Sequence, residues 1–364
     1  MDLTLHLTTA CNMRCTYCYS PPRDGVVMSE ETGRRTMVLG GRISPGSCGI
    51  VFSGGEPLLH KDLIQSLVEY GHELERHELG RFHYRVITNG LLLDQTFLDF
   101  VLRNDIAVAM SFDGVRQAHD RHRRLPNGKG SFDALVRRLE LLLSVRPYAS
   151  VLLVVTPQTV RWLAESICFL MDLSCRYVTV SLNYGAQWRE SDLRVLADQY
   201  MRLGELYVEW TRAERKFYLS PFDDKLAASG NRWCFGKHRC ELASRQLSVD
   251  PEGYLYPCVQ FPRAGPKSRW CVGHVQHGID EGVRRRIAAR SLVERTTCAL
   301  CGIRDRCNNT CGCINWQSTG RIDAVSPILC RHERILVPIV DRVGKRLERP
   351  ATTRRGLTAV HASS

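Results

Sequence analysis

This chain has no run approaching the roughly 20 consecutive apolar residues that a bilayer span needs. Its start, MDLTLHLTTA, lacks both the basic opening and the apolar block of a secretory signal. Membrane insertion and export are therefore not expected, and a soluble cytoplasmic protein is. Internal repeats at solenoid periods are missing. Nor does the composition carry the bias of disordered, collagen-like or small disulfide-scaffold chains: of 364 residues, 44% are hydrophobic and 24% charged. That balance suits one large core or two ordinary ones.

What the sequence has in excess is cysteine and positive charge. It contains 16 cysteines, and because the cytoplasm keeps thiols reduced, metal ligation is expected rather than disulfides. The net charge of +12 would suit nucleic acid or another polyanion. Residues 331 to 364, however, hold eight Lys/Arg against three Asp/Glu, so part of the excess reads as a solvated tail. Residues 348–364 are expected to be basic and disordered.

The cysteines fall into a front group, Cys11, Cys15 and Cys18, and ten more between Cys234 and Cys330. Between the groups, short apolar strands alternate with helical stretches. Strands are expected at Leu3 to Leu7, Gly49 to Phe52, Tyr84 to Thr88, Ile106 to Phe112, Ser150 to Val155 and Tyr177 to Asn183. The helices between them lie at Ser29 to Leu39, Lys61 to Glu75, Asp94 to Arg103, Ser131 to Ser144 and around Arg161 to Leu170. Six such strands indicate parallel β/α units, hence an α/β fold. A long bridging helix is expected over 190–217, a boundary at Ala227 to Gly230, and a helical pattern at Ile335 to Leu347 interrupted by Pro338.

Cys11, Cys15 and Cys18 form a C-x3-C-x2-C loop directly after the first strand. Three thiolates at this spacing can hold three irons of a four-iron, four-sulfur cube and leave the fourth iron open to substrate. Zinc is the competing reading, but its structural sites take four ligands in paired C-x2-C units, which this loop does not supply. Four further segments follow in order: Ser53-Gly54-Gly55-Glu56-Pro57, Thr88-Asn89-Gly90, Ser111-Phe112-Asp113-Gly114, and His119-Asp120-x-x-Arg123 with Gly128-Lys129-Gly130-Ser131. Taken singly, these are ordinary turns and strand ends. Gathered at the C-terminal ends of successive strands, they occupy the position where β/α barrels build their sites.

Together these segments resemble the radical S-adenosylmethionine (SAM) superfamily. The resemblance implies a partial (β/α)6 TIM-like barrel over 1–226 and a SAM-chelating cluster on Cys11, Cys15 and Cys18. It also implies SAM contacts from Gly54, Gly55, Glu56, Asn89, Ser111, Arg123 and the backbone of Tyr17; the Tyr17 ring reads equally well as a packed aromatic.

The rear cysteines run Cys240-x12-Gly253-x4-Cys258, then Cys298-x2-Cys301-x5-Cys307-x3-Cys311, then Cys330. This order resembles the SPASM domain of radical SAM peptide maturases, expected over 227–347. Cys234, six residues before Cys240, supplies an eighth thiolate, and eight make two sets of four. By resemblance, Cys234, Cys240, Cys258 and Cys311 would hold one auxiliary cluster and Cys298, Cys301, Cys307 and Cys330 another. Cys313 is passed over because Cys311 keeps the x3 spacing; Cys48, Cys168, Cys175 and Cys271 are also unassigned, with Cys168 expected in the core. Three loaded 4Fe-4S clusters would bring the net charge to about +7, so part of the positive excess compensates them.

The implied reaction is hydrogen abstraction by a 5′-deoxyadenosyl radical from a residue of a ribosomal precursor peptide. Oxidative crosslinking would follow through a carbon-carbon, ether or thioether bond, with the electron passing to the auxiliary clusters. Expected partners are the precursor peptide, a reductant such as flavodoxin or ferredoxin, and a leader-recognition protein if the chain itself does not read the leader. Met1 lies two residues before the first strand, so leader recognition is expected from the barrel, the auxiliary domain or another polypeptide.

Anaerobic sulfatase maturation is the alternative, but the Asp expected after Cys258 for that chemistry is Val259. Asp250, Glu252, Tyr254 and His274 are nearby bases without an assigned role. A noncatalytic RNA-binding metal protein would use Arg121 to Arg124 and Arg284 to Arg286. No aromatic nucleic-acid platform accompanies them, and such a protein has no need of Gly-Gly-Glu-Pro.

Overall fold

The computed structural model describes residues 1–20, 24–229, 240 and 242–348. Strands and helices alternate through the first half: β1 (Asp2–His6), α1 (Glu30–Ile43), β2 (Cys48–Ser53), α2 (Lys61–Arg76), β3 (Phe82–Thr88), α3 (Gln95–Arg103) and β4 (Ala107–Ser111). They continue with α4 (Arg116–His122), α5 (Phe132–Val145), β5 (Ser150–Val155), α6 (Leu163–Asp172), β6 (Tyr177–Leu182) and α7 (Glu190–Arg212). Helices α1 and α3 start where a side chain accepts one of the first free N–H groups. Ser29 takes the amide of Thr32 at 3.1 Å and Asp94 that of Phe97 at 2.9 Å.

Strands β1 to β6 pair in sequence order, all parallel. Every second residue points into the core: Leu3 and Leu5 on β1, Ile50 and Phe52 on β2, Val151, Leu153 and Val155 on β5 are all buried. This is the α/β architecture expected from the alternating pattern.

The second half adds β7 (Tyr218–Leu219), α8 (Ser220–Ser229), β8 (Gln246–Val249), β9 (Tyr254–Tyr256), β10 (Gly273–His274), β11 (Gly278–Ile279), α9 (Glu281–Leu292), α10 (Gly312–Thr319) and α11 (Pro327–Glu348). Strand β8 pairs in parallel with the outer edge of β1, and β9 to β11 continue antiparallel, giving one sheet of eleven strands. Helix α11 packs on α7 and α8. Among the described residues no helix is long and apolar enough to cross a membrane.

Two helices differ from expectation. The bridge stops at Arg212, because the chain turns through Glu214 (φ 55°) and Tyr218 then pairs with Tyr177 of β6. Pro338 does not interrupt the last helix, which is continuous from Pro327 to Glu348. Its buried face of Leu336, Val337, Ile339, Val340 and Val343 holds the helix together around the missing N–H.

Candidate functional site

The loop that carries the front cysteines is clamped from two sides. On one side, Gly55 N donates to Thr8 O (2.7 Å) and Glu56 N to Ala10 O (2.9 Å), joining the β2 exit to the residues before Cys11. A Cβ on Gly55 would lie 2.0 Å from Ala10 O, so only glycine permits this approach. On the other side, Arg14 N donates to Arg124 O (2.7 Å) and Thr16 N to His122 O (3.0 Å). The His119 segment is itself pinned: Asp120 Oδ1 accepts the amides of Ser131 and Phe132, and His119 bridges the Asp113 amide and Ser131 Oγ.

These anchors surround a cavity of about 390 Å³ at the C-terminal ends of the strands. Cys11, Cys15, Tyr17 and Cys18 line it on the loop side. Gly54, Gly55, Glu56, Asn89, Ser111 and Arg123 line it on the strand side, so the front-half residues expected to hold the cluster and SAM meet here. Another depression, lined by Ser174, Arg176 and Lys216 among others, lies away from these motifs and gathers none of their chemistry.

Arg123 is the buried charge of the cavity, 4% exposed. Its Nη1 donates to the Tyr17 hydroxyl at 3.0 Å, and that hydroxyl donates to Asp113 Oδ2 at 2.6 Å. Burial opposes the Arg123 charge, but Tyr17, Cys15 and Asp113 together push its pKa further up. The Cys15 thiol is pushed up by burial, with Arg123 pulling the other way. Arg123 Nε is buried and has no hydrogen-bond partner among the described residues, an orphaned donor that fits an anionic group such as a carboxylate.

Glu56 is also buried, and its carboxylate accepts from Thr88 Oγ1 (2.6 Å), Asn89 N (2.7 Å) and Leu58 N (3.0 Å). Burial raises its pKa against these hydrogen bonds. The Asn89 amide reaches Asn12 Oδ1 at 2.8 Å and Cys11 Sγ at 3.8 Å.

The far wall comes from elsewhere: Tyr184 after β6, and Gln260, Cys313, Ile314 and Gln317 from the cysteine-rich half. These residues carry no local signal, since only the folded chain brings them to the strand ends. Asp113, named in its motif without a role of its own, ties Tyr17 to β5 by accepting the Tyr17 hydroxyl and, at 3.0 Å, the Val154 amide. Asp250, Glu252, Tyr254 and His274 do not line the cavity. Asp250 instead holds its own turn, accepting the Glu252 and Tyr254 amides and the Tyr256 hydroxyl.

Cys240, Cys258 and Cys311 come together although 71 positions separate the first and last. Cys311 Sγ is hydrogen-bonded to Cys240 and lies 3.5 Å from Cys313 Sγ, and Cys313 is hydrogen-bonded to Cys258. In the other set, Arg334 reaches both Cys301 and Cys330, while Cys298 and Cys307 lie beside Arg295. Cys234 lies outside the described residues. Among the described residues no three His, Cys, Asp or Glu side chains form a pocket for a single metal ion. The thiols meet instead as a chain of contacts.

Parallel strands, a cysteine loop after β1 and a glycine-rich turn after β2 define a class, and comparison with known proteins agrees. Residues 5–170 match the family model of the Radical SAM superfamily, and the chain carries a radical SAM domain. A cysteine-type anaerobic sulfatase-maturating enzyme of Clostridium perfringens (strain 13 / Type A) is 28% identical over 289 residues, covering 74% of this chain and 75% of that enzyme. An uncharacterised protein of Methanocaldococcus jannaschii is 27% identical over 184 residues, or 50% of this chain and 62% of that protein.

The fold is that of native anSMEcpe with bound AdoMet and the Cp18Cys peptide, with a TM-score of 0.82 at 18% identity over 95% of this chain and 100% of that one. Streptococcus suis SuiB bound to precursor peptide SuiA matches at a TM-score of 0.63 and 15% identity, over 90% of this chain and 75% of that one. Residues 5–170 thus form a radical SAM domain, and the chain is similar in sequence to sulfatase maturases and shares its fold with SuiB.

Proposed function

We propose that this enzyme is a peptide maturase that installs an oxidative intramolecular crosslink in a ribosomally made precursor peptide. The observation carrying this reading is the shared cavity, whose floor holds the front cysteines and Arg123 and whose far wall comes from the cysteine-rich half. Cys11, Cys15 and Cys18 would hold a 4Fe-4S cluster, and the orphaned Arg123 Nε would hold the SAM carboxylate. Once bound, cluster and SAM supply a 5′-deoxyadenosyl radical that abstracts hydrogen.

The chain's part is to fix geometry and exclude water. The Gly54–Gly55 turn brings backbone close, Asn89 and Ser111 offer polar contacts at the strand ends, and Glu56 locks the second and third strand exits together. For each crosslink one hydrogen atom leaves to 5′-deoxyadenosine. One proton and one electron also leave the peptide as a carbon-carbon, carbon-oxygen or carbon-sulfur bond forms, and auxiliary centres on the rear cysteines would offer the acceptor for that electron. A flavodoxin- or ferredoxin-type reductant supplies the electron that starts each cycle.

The names of the Clostridium relatives favour formylglycine formation as a second reading. Against it stand Val259 after Cys258 and the lack of a second carboxylate beside Glu56 among the described residues of the cavity wall. Anaerobic incubation with SAM, a reductant and either a candidate precursor or a sulfatase-derived cysteine peptide separates the two. The expected result is loss of two hydrogens per modification in the precursor, matched by 5′-deoxyadenosine. An aldehyde in the sulfatase peptide, or a modified precursor without mass loss, would overturn the crosslinking reading.

A further inference from the structure

Arg121 to Arg124, the run that would serve RNA in a binding protein, lies beside the front cysteines. Residues 116–129 carry five Lys/Arg against one Asp. Two of the five are already engaged: Arg123 is buried in the cavity wall, and Arg116 pairs with Asp133 and reaches Asp120 at 3.9 Å. The single carboxylate, Asp120, accepts the Ser131 and Phe132 amides through Oδ1. That leaves Arg121, Arg124 and Lys129, all exposed and none with an ion-pair partner among the described residues.

The cysteine loop adds a fourth cation to this face. The two segments run side by side through Arg14 N to Arg124 O (2.7 Å) and Thr16 N to His122 O (3.0 Å). Cys15 and Arg123 line the cavity, whereas Arg14, Thr16 and Arg124 are exposed to solvent. The exposed Arg14 guanidinium donates to Cys11 O (2.7 Å) and Met13 O (3.0 Å), so it lies over the loop backbone. A single layer of backbone therefore separates the front thiols from a surface of four cations, and Cys18 is itself exposed.

We propose that Arg14, Arg121, Arg124 and Lys129 form the docking surface for an acidic one-electron carrier, which passes its electron across the cysteine loop. The carrier loses one electron and the group held by Cys11, Cys15 and Cys18 gains it; no bond forms or breaks. Opposite charge speeds the encounter and orients the partner without a large interface, which suits a transient electron-transfer contact. RNA is the weaker occupant: a surface of cations alone offers its bases neither stacking nor edge contacts, and RNA has no use for thiols one backbone layer below. This placement rests on the reading that the front cysteines hold an iron-sulfur cluster.

Flavodoxin is the probe, and the full-length chain is the protein tested. Binding of oxidised flavodoxin is measured by calorimetry on the chain without iron and after anaerobic reconstitution. Oxidation of flavodoxin hydroquinone by the reconstituted protein is followed by stopped-flow absorbance. At low ionic strength, Arg121→Glu combined with Arg124→Glu should weaken binding and slow this oxidation by about tenfold or more. Reduction by photoreduced 5-deazariboflavin, a small uncharged mediator that needs no docking surface, should stay at wild type. Arg121→Lys combined with Arg124→Lys keeps the charge and should match wild type. Arg285→Glu combined with Arg286→Glu makes the same change in net charge at exposed positions of α9 and should shift either reading by less than about twofold.

Equal effects of the two charge reversals, no effect of the first, or a wild type that does not bind flavodoxin would overturn the docking surface. Poly(U) RNA bound more tightly than flavodoxin, and lost with Arg121 and Arg124, would make this an RNA site and overturn it as well. Reconstituted wild type without iron would overturn the cluster reading instead, and binding to the iron-free chain tells the two failures apart.

Discussion

Arg123 enters the cavity with Nη1 bonded to Tyr17 and Nε bonded to nothing among the described residues. If that Nε holds the SAM carboxylate, Arg123→Lys keeps the charge that balances Asp113 but loses the planar fork. A charge-assisted hydrogen bond contributes roughly 1.5–3 kcal/mol, so SAM should bind some ten- to hundredfold more weakly to cluster-loaded Arg123→Lys. Equilibrium dialysis would show this, and iron content should stay at wild type. Unchanged affinity would remove Arg123 from the SAM site.

His6 supports a different prediction at the same scale. It is fully buried on β1, its Nε2 lies 2.7 Å from Ser248 Oγ of β8, and burial lowers its pKa to about 4. Because the folded pKa lies below the ordinary 6.5, the unfolded chain takes up the proton first as pH falls. His6 therefore contributes no pH dependence well above 6.5, and stability is lost progressively between 6.5 and about 4. Between pH 7.5 and 6.0 its share is roughly 1 kcal/mol. His6→Gln keeps a polar side chain without this titration, so its melting temperature should fall less than that of wild type over the interval. An equal fall in both would mean that His6 does not titrate this way.

At the scale of elements, what the sequence showed and what it hid divide by range. Strands β1 to β6 were legible because each is a short apolar run bounded by turn residues, and β5 matches its expected ends, Ser150 and Val155. On the strand side, Gly54, Gly55, Glu56, Asn89 and Ser111 were legible because they sit just at or after strand ends with a glycine within three positions, and Cys11, Cys15 and Cys18 because of their spacing. Helix α9 was not: in EGVRRRIAARSL only Ile287 and Ser291 are buried, too little for a periodic signal. Four residues, Gln246 to Val249, are likewise too few to announce a strand, and β8 exists because it finds the edge of β1.

The α7–α11 contact was equally hidden, since residues more than 130 positions apart make it. Gly204 of α7 lets α11 approach so closely that a Cβ there would lie 3.1 Å from Val343 Cγ2. Gly204→Leu should therefore overpack this contact and cost about 1–3 kcal/mol, read as a lowered melting temperature. The same residue introduced at exposed Met201 on α7 should leave stability within about 0.5 kcal/mol of wild type. Equal stability of the two variants would show that the helices separate without penalty.

For the whole molecule, the continuous sheet matters more than the difference in composition between the halves. Strand β1 is central only because β8 covers its outer edge, with Leu247, Ser248 and Val249 all buried. Helix α11 covers α7 and α8, and its Glu333 pairs with Lys225 of α8 at 2.7 Å, both side chains buried. The cysteine-rich half thus completes the hydrophobic core of the parallel half as well as one wall of its cavity. A chain cut after residue 229 would expose the β1 edge, a ready template for wrong pairing. It would also expose the apolar face of α7 that α11 covers and free Lys225 from its pairing with Glu333. Such a fragment should aggregate or keep helical circular dichroism without a cooperative melting transition, and should fail to hold SAM even with iron on Cys11, Cys15 and Cys18. A monomeric fragment that melts cooperatively and binds SAM would show that the two halves are separate folding units that merely share a sheet.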